Sequence, residues 1–268
     1  MPFCNQKIGK LEYTTSDSIA VPHCFSTRLG GVSEGYLSSL NLGIHRGDKP
    51  ENVERNYRIL GDAVGFAPED LVLTRQTHSD IVRRVGRMDC GVCLEDGACP
   101  ECDALVTNEP GVGLVVFTAD CTPILLHDPV TGAVGAVHAG WRGTVAEIAA
   151  KTVEAMAEYY GVKPENIVAA IGPNIGGCCF ETSDDVPEAL RACLGEDAEE
   201  FIRPKGEKYL VDLKGTNKKI LERAGVRHVE LSDECTACQP ERYWSHRKVG
   251  SARGSMAAII VCEKGATA

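Results

Sequence analysis

The sequence has few aromatic residues, a deficit of basic residues and no long apolar run. Phe, Trp and Tyr make up 6% of the 268 residues. No stretch approaches the roughly 20 apolar residues that span a bilayer, and the first residues lack the pattern of a secretory signal. We therefore expect a cytoplasmic protein outside the membrane. Because the formal net charge is −10 and nucleic acids attract basic surfaces, we expect no nucleic-acid partner.

Cysteine, by contrast, is abundant. The chain has 13 cysteines, but the cytosol keeps thiols reduced and an odd number cannot pair completely. The cysteines are therefore interpreted as metal ligands, small buried side chains and incidental thiols rather than as a disulfide framework. Hydrophobic residues at 43% and charged residues at 25% are ordinary for a globular protein.

Apolar runs and helical spacing alternate along the chain and predict one mixed α/β (α+β) domain over residues 1–268. No repeat, linker or low-complexity segment interrupts it. Apolar runs predict strands at residues 21–28, 71–74, 81–85, 113–118, 123–127, 133–138, 167–171 and 256–262. Helical spacing and end signals predict helices at residues 48–61, 144–160, 184–194 and 213–224, with Gly61 and Gly161 at the ends of two of them.

Three residues that can bind a metal lie beside predicted strands. Cys121 and His138 lie at the ends of two apolar strands joined by a turn, and His78 follows another strand. If these strands share a sheet edge, the side chains converge, and two imidazoles with one thiolate suit Zn²⁺ with a fourth position open. A cysteine in an apolar run is, however, more often a small buried side chain. Spacing alone therefore leaves this ligand set as one alternative.

Motifs in a fixed order carry further information. They are FSTRLGGVSEG, SLNLG, TRQTHSD, TADCTPILLHDP, HAGWRGT, IGPNIGGCCFE and CTACQPERYWSHR. Through them the chain resembles the YfiH or laccase-domain family, once called polyphenol oxidases, over nearly its whole length. The resemblance implies a layered α/β/β/α fold with mixed sheets. It also implies that the histidine of QTH, the cysteine of ADC and the histidine of HAGWRG bind zinc, which here are His78, Cys121 and His138.

The resemblance also implies an enzyme that acts on purine nucleosides. The expected reactions are phosphorolysis of adenosine, inosine and methylthioadenosine, and deamination of adenosine. Zinc suits deamination, because it activates water toward the purine C6 position. Phosphorolysis requires a phosphate oriented against the anomeric carbon by a metal, by basic side chains or by backbone N–H groups. Purine nucleosides and phosphate are thus the expected partners, and nothing in the sequence indicates an oligomeric state.

Five polar residues are candidates for binding the substrates. Arg28, Arg142 and Arg247 offer guanidinium groups for the phosphate, although each can equally form a structural ion pair. Asn41 and Gln76 lie within the family-like motifs and can hydrogen-bond to ribose or base, although Asn41 can also cap a turn.

A cysteine-rich loop at residues 89–102 departs from the usual family pattern. Its spacing, Cys90-x2-Cys93-x5-Cys99-x2-Cys102, resembles paired zinc knuckles, although five residues between the knuckles is short. A second structural metal and a reduced loop without metal both remain open. The Cys235-x2-Cys238 pair is interpreted as structural, and the adjacent Cys178 and Cys179 are not expected to face one metal.

Two other functions compete with the zinc enzyme. In a cysteine hydrolase or deamidase, Cys121 is the nucleophile and His138 its base, as in a bacterial toxin deamidase of similar fold. In a zinc-containing nucleoside-binding protein, the metal is only structural. A multicopper laccase is not expected, because the seven histidines include no His-x-His pair, although Cu²⁺ can occupy the same three-ligand site.

Overall fold

Strands outnumber helices, as the many short apolar runs predict. The computed structural model describes residues 3–91 and 99–263. The strands in these residues are β1 (Phe3–Ile8), β2 (Leu11–Ser16), β3 (His23–Ser26), β4 (Leu71–Leu73), β5 (Val82–Arg84), β6 (Ala104–Thr107), β7 (Gly113–Thr118), β8 (Thr122–His127), β9 (Val134–Ala139), β10 (Val168–Ile171), β11 (Glu181–Thr182), β12 (Ile202–Lys205), β13 (Lys208–Val211), β14 (His228–Leu231) and β15 (Met256–Val261). The helices are α1 (Pro50–Val64), α2 (Trp141–Val145), α3 (Ile148–Tyr160), α4 (Asp185–Leu194), α5 (Leu213–Arg223) and α6 (His246–Val249). No helix in the described ranges has the length and apolar character needed to cross a bilayer.

The strands form two large sheets and one small one. The first large sheet has the order β1-β2-β3-β15-β7-β4, and the second has the order β14-β10-β8-β9-β6-β5. Both are mixed, because β4 runs parallel to β7 in the first while β14 and β5 run parallel to their neighbours in the second. Strands β11, β13 and β12 form the small antiparallel sheet.

Four layers result from burial on both faces of each large sheet. Along β7, Leu114 and Val116 pack between the two sheets, whereas Val115 packs toward α1 on the outer face. Along β8, Leu125 faces the space between the sheets, and its two neighbours face a core shared with α3, α4 and α5. Burying each such side chain contributes about 1.5–3 kcal/mol. Strands buried on both faces read as continuous apolar runs, and the predicted α/β/β/α arrangement is confirmed.

Two predicted helix boundaries differ in the structure. Residues 144–160 are not one helix, because Glu147 adopts a left-handed conformation (φ 58°) between α2 and α3. Helix α1 continues past Gly61 to Val64 and is capped by Gly65. A Cβ on Gly61 would lie 2.4 Å from the carbonyl oxygen of Phe66, so close packing rather than helix termination accounts for this glycine. Gly161 ends α3 as expected.

Candidate metal centre and adjoining cavity

The three predicted ligands lie where the chain crosses between the two large sheets. His78 is in the connection from β4 to β5, and Cys121 is in the connection from β7 to β8. His138 lies near the end of β9, opposite Pro123 of β8. Because β4 pairs with β7 and β8 pairs with β9, all three positions meet at one edge of the fold.

Their ligand atoms form a compact group. Sγ of Cys121 lies 3.8 Å from Nε2 of His78, and one ligand atom from each residue lies within 4.8 Å of the others. Ligands of a tetrahedral zinc are about 3.3–3.8 Å apart, given bonds of about 2.0 Å to nitrogen and 2.3 Å to sulfur. His78 is exposed, Cys121 half-buried and His138 buried. The donor set and its spacing fit a zinc ion with one side open.

Asp103 organises this site, although sequence reasoning missed it. Its Oδ1 accepts a hydrogen bond from Nδ1 of His138 at 2.8 Å, which leaves Nε2 of that ring for a metal. Its carboxylate also accepts the backbone N–H groups of Thr77, His78 and Ser79 at 3.1, 3.1 and 2.7 Å. One buried carboxylate therefore orients one ligand and fixes the loop that carries another. The only sequence signal was an aspartate directly before the apolar β6, which is a common pattern.

The backbone around the ligands adopts unusual conformations. His78 and Asp120 both have positive φ, at 60° and 95°, which costs a residue with a side chain about 1–3 kcal/mol. Asp120 is held by the Thr236 hydroxyl at 2.6 Å and by the Arg247 N–H at 2.7 Å. A Cβ on Gly140 would lie 2.7 Å from Cδ2 of His78. The glycine of HAGWRG therefore provides the space that the His78 ring occupies.

The charges of the cluster stabilise one another. Burial alone would raise the pKa of the Cys121 thiol, but His138 and His78 lower this pKa to about 6. Burial would lower the pKa of His138, but Cys121 and Asp103 raise it to about 9. For Asp103, burial opposes ionisation, yet hydrogen bonds from His138 and Ser79 bring its pKa to about 2. The two imidazoles thus favour the thiolate of Cys121, the form that binds metals and acts as a nucleophile.

A cavity of about 290 Å³ opens beside these ligands. It is lined by Gly43, Ile44, His45, Arg46, Thr74, Arg75, Gln76, His78, Phe117, Thr118, Ala119, Cys121, His138, Arg253 and Ser255. Most of these residues come from the ends of β4, β7, β8 and β9 and from the loop before α1. The three candidate ligands and three arginine side chains therefore share one pocket.

Of the five predicted substrate-binding residues, Gln76 alone lines this cavity. Its amide is occupied by the backbone of Phe117, donating to the carbonyl at 2.8 Å and accepting the N–H at 2.6 Å. The structure buries Asn41, whose side chain bonds to Asp48, Gly43 and Ser255. Both amides therefore make structural contacts, and their binding roles stay predictions.

The three predicted arginines lie elsewhere. Arg28 stacks 3.7 Å from the Trp244 ring centroid and donates to two backbone carbonyls. Arg142 is exposed and lies over the ring of Trp141, and Arg247 donates to the carbonyl oxygens of Cys179 and Glu181. None of the three lines the cavity beside the candidate ligands.

The guanidinium groups that do line the cavity are those of Arg46, Arg75 and Arg253, which sequence reasoning missed. Arg75 forms an ion pair with Glu101 at 2.6 Å. Nε of Arg253 has no hydrogen-bond partner among the described residues, and Nε of Arg46 donates to the Ser255 hydroxyl at 3.1 Å. Burial lowers the pKa of Arg253 to about 10, and the nearby charge of Arg46 adds to this effect. Both groups remain cationic at neutral pH.

The cysteine-rich loop is described only in part, because Cys93 lies outside the described residues. Cys90 and Cys102 pack against the core between the two large sheets, and Cys99 packs against the core under α1. Among the described residues, the sulfurs of the loop do not form a group of possible metal ligands. Cys99 is disulfide-bonded, and a sulfur in that state is not a thiolate ligand. A metal at this loop stays a prediction that requires Cys99 to be reduced.

Four other cysteines do form such a group. The sulfurs of Cys178, Cys179, Cys235 and Cys238 all lie within 4.8 Å of one another. The expectation that Cys178 and Cys179 do not face one site is therefore wrong. The turn that follows Gly176 directs both side chains toward Cys238, with sulfur distances of 3.6 and 3.4 Å.

Known proteins resemble the chain over nearly all of its length. The model of a family described as multi-copper polyphenol oxidoreductase laccase matches residues 22–263. A purine nucleoside phosphorylase of Deinococcus radiodurans is 42% identical over 247 residues, covering 91% of this chain and 90% of the relative. The purine nucleoside phosphorylase YfiH of Escherichia coli is 38% identical over 241 residues, covering 90% and 93%.

Solved structures agree with this relationship. The crystal structure of YlmD from Geobacillus stearothermophilus has a TM-score of 0.91 and 34% identity, with 98% of this chain and 100% of that chain covered. The crystal structure of the hypothetical protein YfiH from Bacillus licheniformis has a TM-score of 0.91 and 32% identity, with 98% and 99% covered. The chain therefore belongs to the laccase-domain family that includes YfiH and YlmD.

Proposed function

We propose that this chain is a zinc-dependent purine nucleoside phosphorylase that also deaminates adenosine. The proposed substrates are adenosine, inosine and methylthioadenosine, and the zinc ligands are His78, Cys121 and His138. The observation that carries the proposal is that one cavity joins these three ligands to the cationic side chains of Arg46 and Arg253. The relatives named purine nucleoside phosphorylase support the substrate class.

Arg46 and Arg253 are the proposed phosphate-binding residues. Two guanidinium groups close together repel each other, and a dianion between them removes that repulsion. The guanidinium of Arg253 lines the cavity, and charge-assisted hydrogen bonds contribute about 1.5–3 kcal/mol each. Arg75 is less suited to this role, because its guanidinium group already forms an ion pair with Glu101.

The remaining walls suit a nucleoside. Ile44 and Phe117 contribute apolar surface on which a purine can pack, and Gln76 holds the Phe117 backbone in place. In phosphorolysis, a phosphate oxygen bonds to the anomeric carbon while the carbon–nitrogen bond breaks and the purine leaves with the electron pair. Arg46 and Arg253 would orient the phosphate for this displacement. A zinc ion, when bound, would supply Lewis-acid polarisation beside the substrate.

A cysteine hydrolase is the second candidate, and one observation favours it. Cys121, His138 and Asp103 follow the order nucleophile, base and orienting carboxylate, with 2.8 Å between Asp103 and His138. Such a triad does not require a second imidazole beside the nucleophile. Nε2 of His78 nevertheless lies 3.8 Å from the Cys121 sulfur, in space that is open because Gly140 has no side chain. This third ligand is why we place the metal enzyme first, ahead of a nucleoside-binding protein that uses zinc only structurally.

The deciding experiment is product analysis with purified full-length protein and adenosine, with and without phosphate. Phosphorolysis yields adenine and ribose 1-phosphate only when phosphate is present, whereas deamination yields inosine in both conditions. The metal content of the same preparation is measured in parallel, which also distinguishes zinc from copper. Zinc-loaded protein that forms no adenine, inosine or hypoxanthine would refute the proposal. Rapid alkylation of Cys121 in zinc-replete protein would then favour the hydrolase.

A further inference from the structure

A second group of sulfur ligands lies apart from the cavity. Cys178 lies 3.6 Å and Cys179 lies 3.4 Å from the sulfur of Cys238, and the sulfurs of Cys178 and Cys179 are 3.7 Å apart. Cys235 completes the group, with all four sulfurs within 4.8 Å of one another. Four thiolates on one tetrahedral zinc, with bonds of about 2.3 Å, are about 3.8 Å apart. The sulfurs thus already have nearly the spacing that one such ion requires.

Two neighbouring parallel strands bring the sulfurs together. β10 and β14 are in register at Ile171 and Leu231, so the loops that follow them leave the sheet side by side. A backbone bridge joins Asn174 to Cys235, and the Thr236 N–H donates to the Asn174 carbonyl at 3.0 Å. The cysteines of the two loops are therefore held close together by main-chain hydrogen bonds as well as by the sheet.

Local groups also suit thiolate ligands. The Gly176 N–H donates to the sulfur of Cys235 at 3.2 Å, and N–H donors of this kind stabilise thiolates around metals. A Cβ on Gly176 would lie 3.3 Å from the Cys178 sulfur, so a larger residue would crowd the group. Lys205 at this surface is already paired with Glu181 at 2.8 Å, but Arg247 and Lys248 also line the surface beside Cys178 and Cys179. Their positive charge would offset the net negative charge of four thiolates around one divalent cation.

We propose that Cys178, Cys179, Cys235 and Cys238 bind a second zinc ion in a closed four-sulfur site. Four protein ligands leave no position for substrate, so the ion is structural. All four ligands are sulfur, which selects zinc over magnesium or calcium. The compact spacing fits one ion rather than a cluster of several. The exposed Cys178 and Cys238 give the ion access from solvent. This inference does not depend on the proposed nucleoside chemistry.

The ion would stabilise the two loops that follow β10 and β14, and both loops contact the residue next to Cys121. The Ile175 N–H donates to the carbonyl of Asp120 at 2.9 Å, and the Thr236 hydroxyl donates to its carboxylate at 2.6 Å. Asp120 precedes Cys121 and has the strained φ of 95°. Each of the two loops that carry the four cysteines therefore holds one side of Asp120, so the four-sulfur site positions the Cys121 backbone without touching the cavity.

Elemental analysis of full-length protein purified under reducing conditions tests the proposal. We expect about two zinc per chain, one for each ligand group. Changing Cys121→Ser with His138→Ala should leave about one, and Cys235→Ser with Cys238→Ser should also leave about one. Cys193→Ser, which alters a half-buried cysteine outside both groups, should leave about two. In the Cys121→Ser/His138→Ala protein, X-ray absorption at the zinc edge should show a shell of sulfur only, near 2.3 Å.

Several results would overturn it. One is a wild-type ratio near one that falls to zero when Cys121 and His138 are changed. Another is a second zinc that is lost when Cys90 and Cys93 are changed to Ser but retained when Cys235 and Cys238 are changed to Ser. That result would assign the ion to the cysteine-rich loop. If the variants do not fold, alkylation of zinc-loaded wild-type protein tests whether the four cysteines bind the ion. Cys178 and Cys238 should resist iodoacetamide until a chelator removes the ion, and equal labelling with and without chelator would refute the site.

Discussion

The two ligand groups differ in composition, surroundings and number of ligands. The His78, Cys121 and His138 group has three ligands beside a cavity of about 290 Å³, and a buried carboxylate orients one of its imidazoles. The other group has four sulfurs, one N–H donor to sulfur and basic residues at the surface. Three ligands leave a metal open to substrate, whereas four close it. The comparison separates a candidate site for chemistry from a candidate site for structure, both between His78 and Cys238 of the same chain.

The largest expected effect comes from removing ligands of the open group. Cys121→Ser or His138→Ala should lower kcat/KM for adenosine phosphorolysis by roughly 10³-fold, because a metal contributes several kcal/mol and each 1.36 kcal/mol is tenfold in rate. The variants should lose about one zinc per chain while their circular dichroism is unchanged. Full zinc content with full activity in either variant would remove that residue from the ligand set.

A smaller effect is expected at the residue that orients the open group. Asp103→Asn should weaken zinc binding at this group about 10–100-fold, the usual loss when an orienting partner of a ligand is removed. Competition with a chelator measures this affinity. Ser79→Ala is the matched control, because it removes one donor to Asp103 and leaves the bond to His138 intact. Equal zinc affinity in Asp103→Asn and wild type would contradict the role assigned to the carboxylate.

The cavity gives the next prediction. Arg253→Met should raise the KM for phosphate by about tenfold or more, from the loss of one charge-assisted bond, with deamination of adenosine largely retained. Initial rates over a phosphate series provide the measurement. Arg58→Met is the control, because Arg58 forms an exposed pair with Glu54 and does not line the cavity. A raised phosphate KM in Arg28→Met, Arg142→Met or Arg247→Met, with Arg253→Met unchanged, would favour the arginines expected from the sequence motifs.

The closed group should affect turnover least. Cys235→Ser with Cys238→Ser should change kcat by less than about tenfold but lower Tm by roughly 5–10 °C. An ion at 100 times its Kd stabilises by about 2.7 kcal/mol, and each kcal/mol corresponds to about 2–4 °C in a chain of this size. Thermal unfolding with and without added zinc measures the difference. A loss of activity as large as that of Cys121→Ser, with Tm unchanged, would reverse the roles of the two groups.

Much of the fold could be predicted from local pattern. The apolar run of β7 was predicted with its observed ends, and both faces of that strand are buried. β1 and β2 were missed, since their polar and apolar residues mix without a long apolar run. β6 and β14, each with four residues, were also missed, because so short a segment carries little periodic signal. The break at Glu147 was missed because residues 146–151 (AEIAAK) are mostly good helix formers.

The sequence by itself determined several buried strands, through continuous apolar runs, whereas the layered fold and the candidate ligands His78, Cys121 and His138 followed from motifs shared with a family. The tertiary structure alone decided which distant groups meet. Asp103 reaches His138 across 35 residues, and Cys178 reaches Cys238 across 60. Arg253 reaches the same cavity as Arg46. Local periodicity records only whether a side chain is buried, whereas strand order and register determine which side chains share an edge, and these depend on pairings between remote segments.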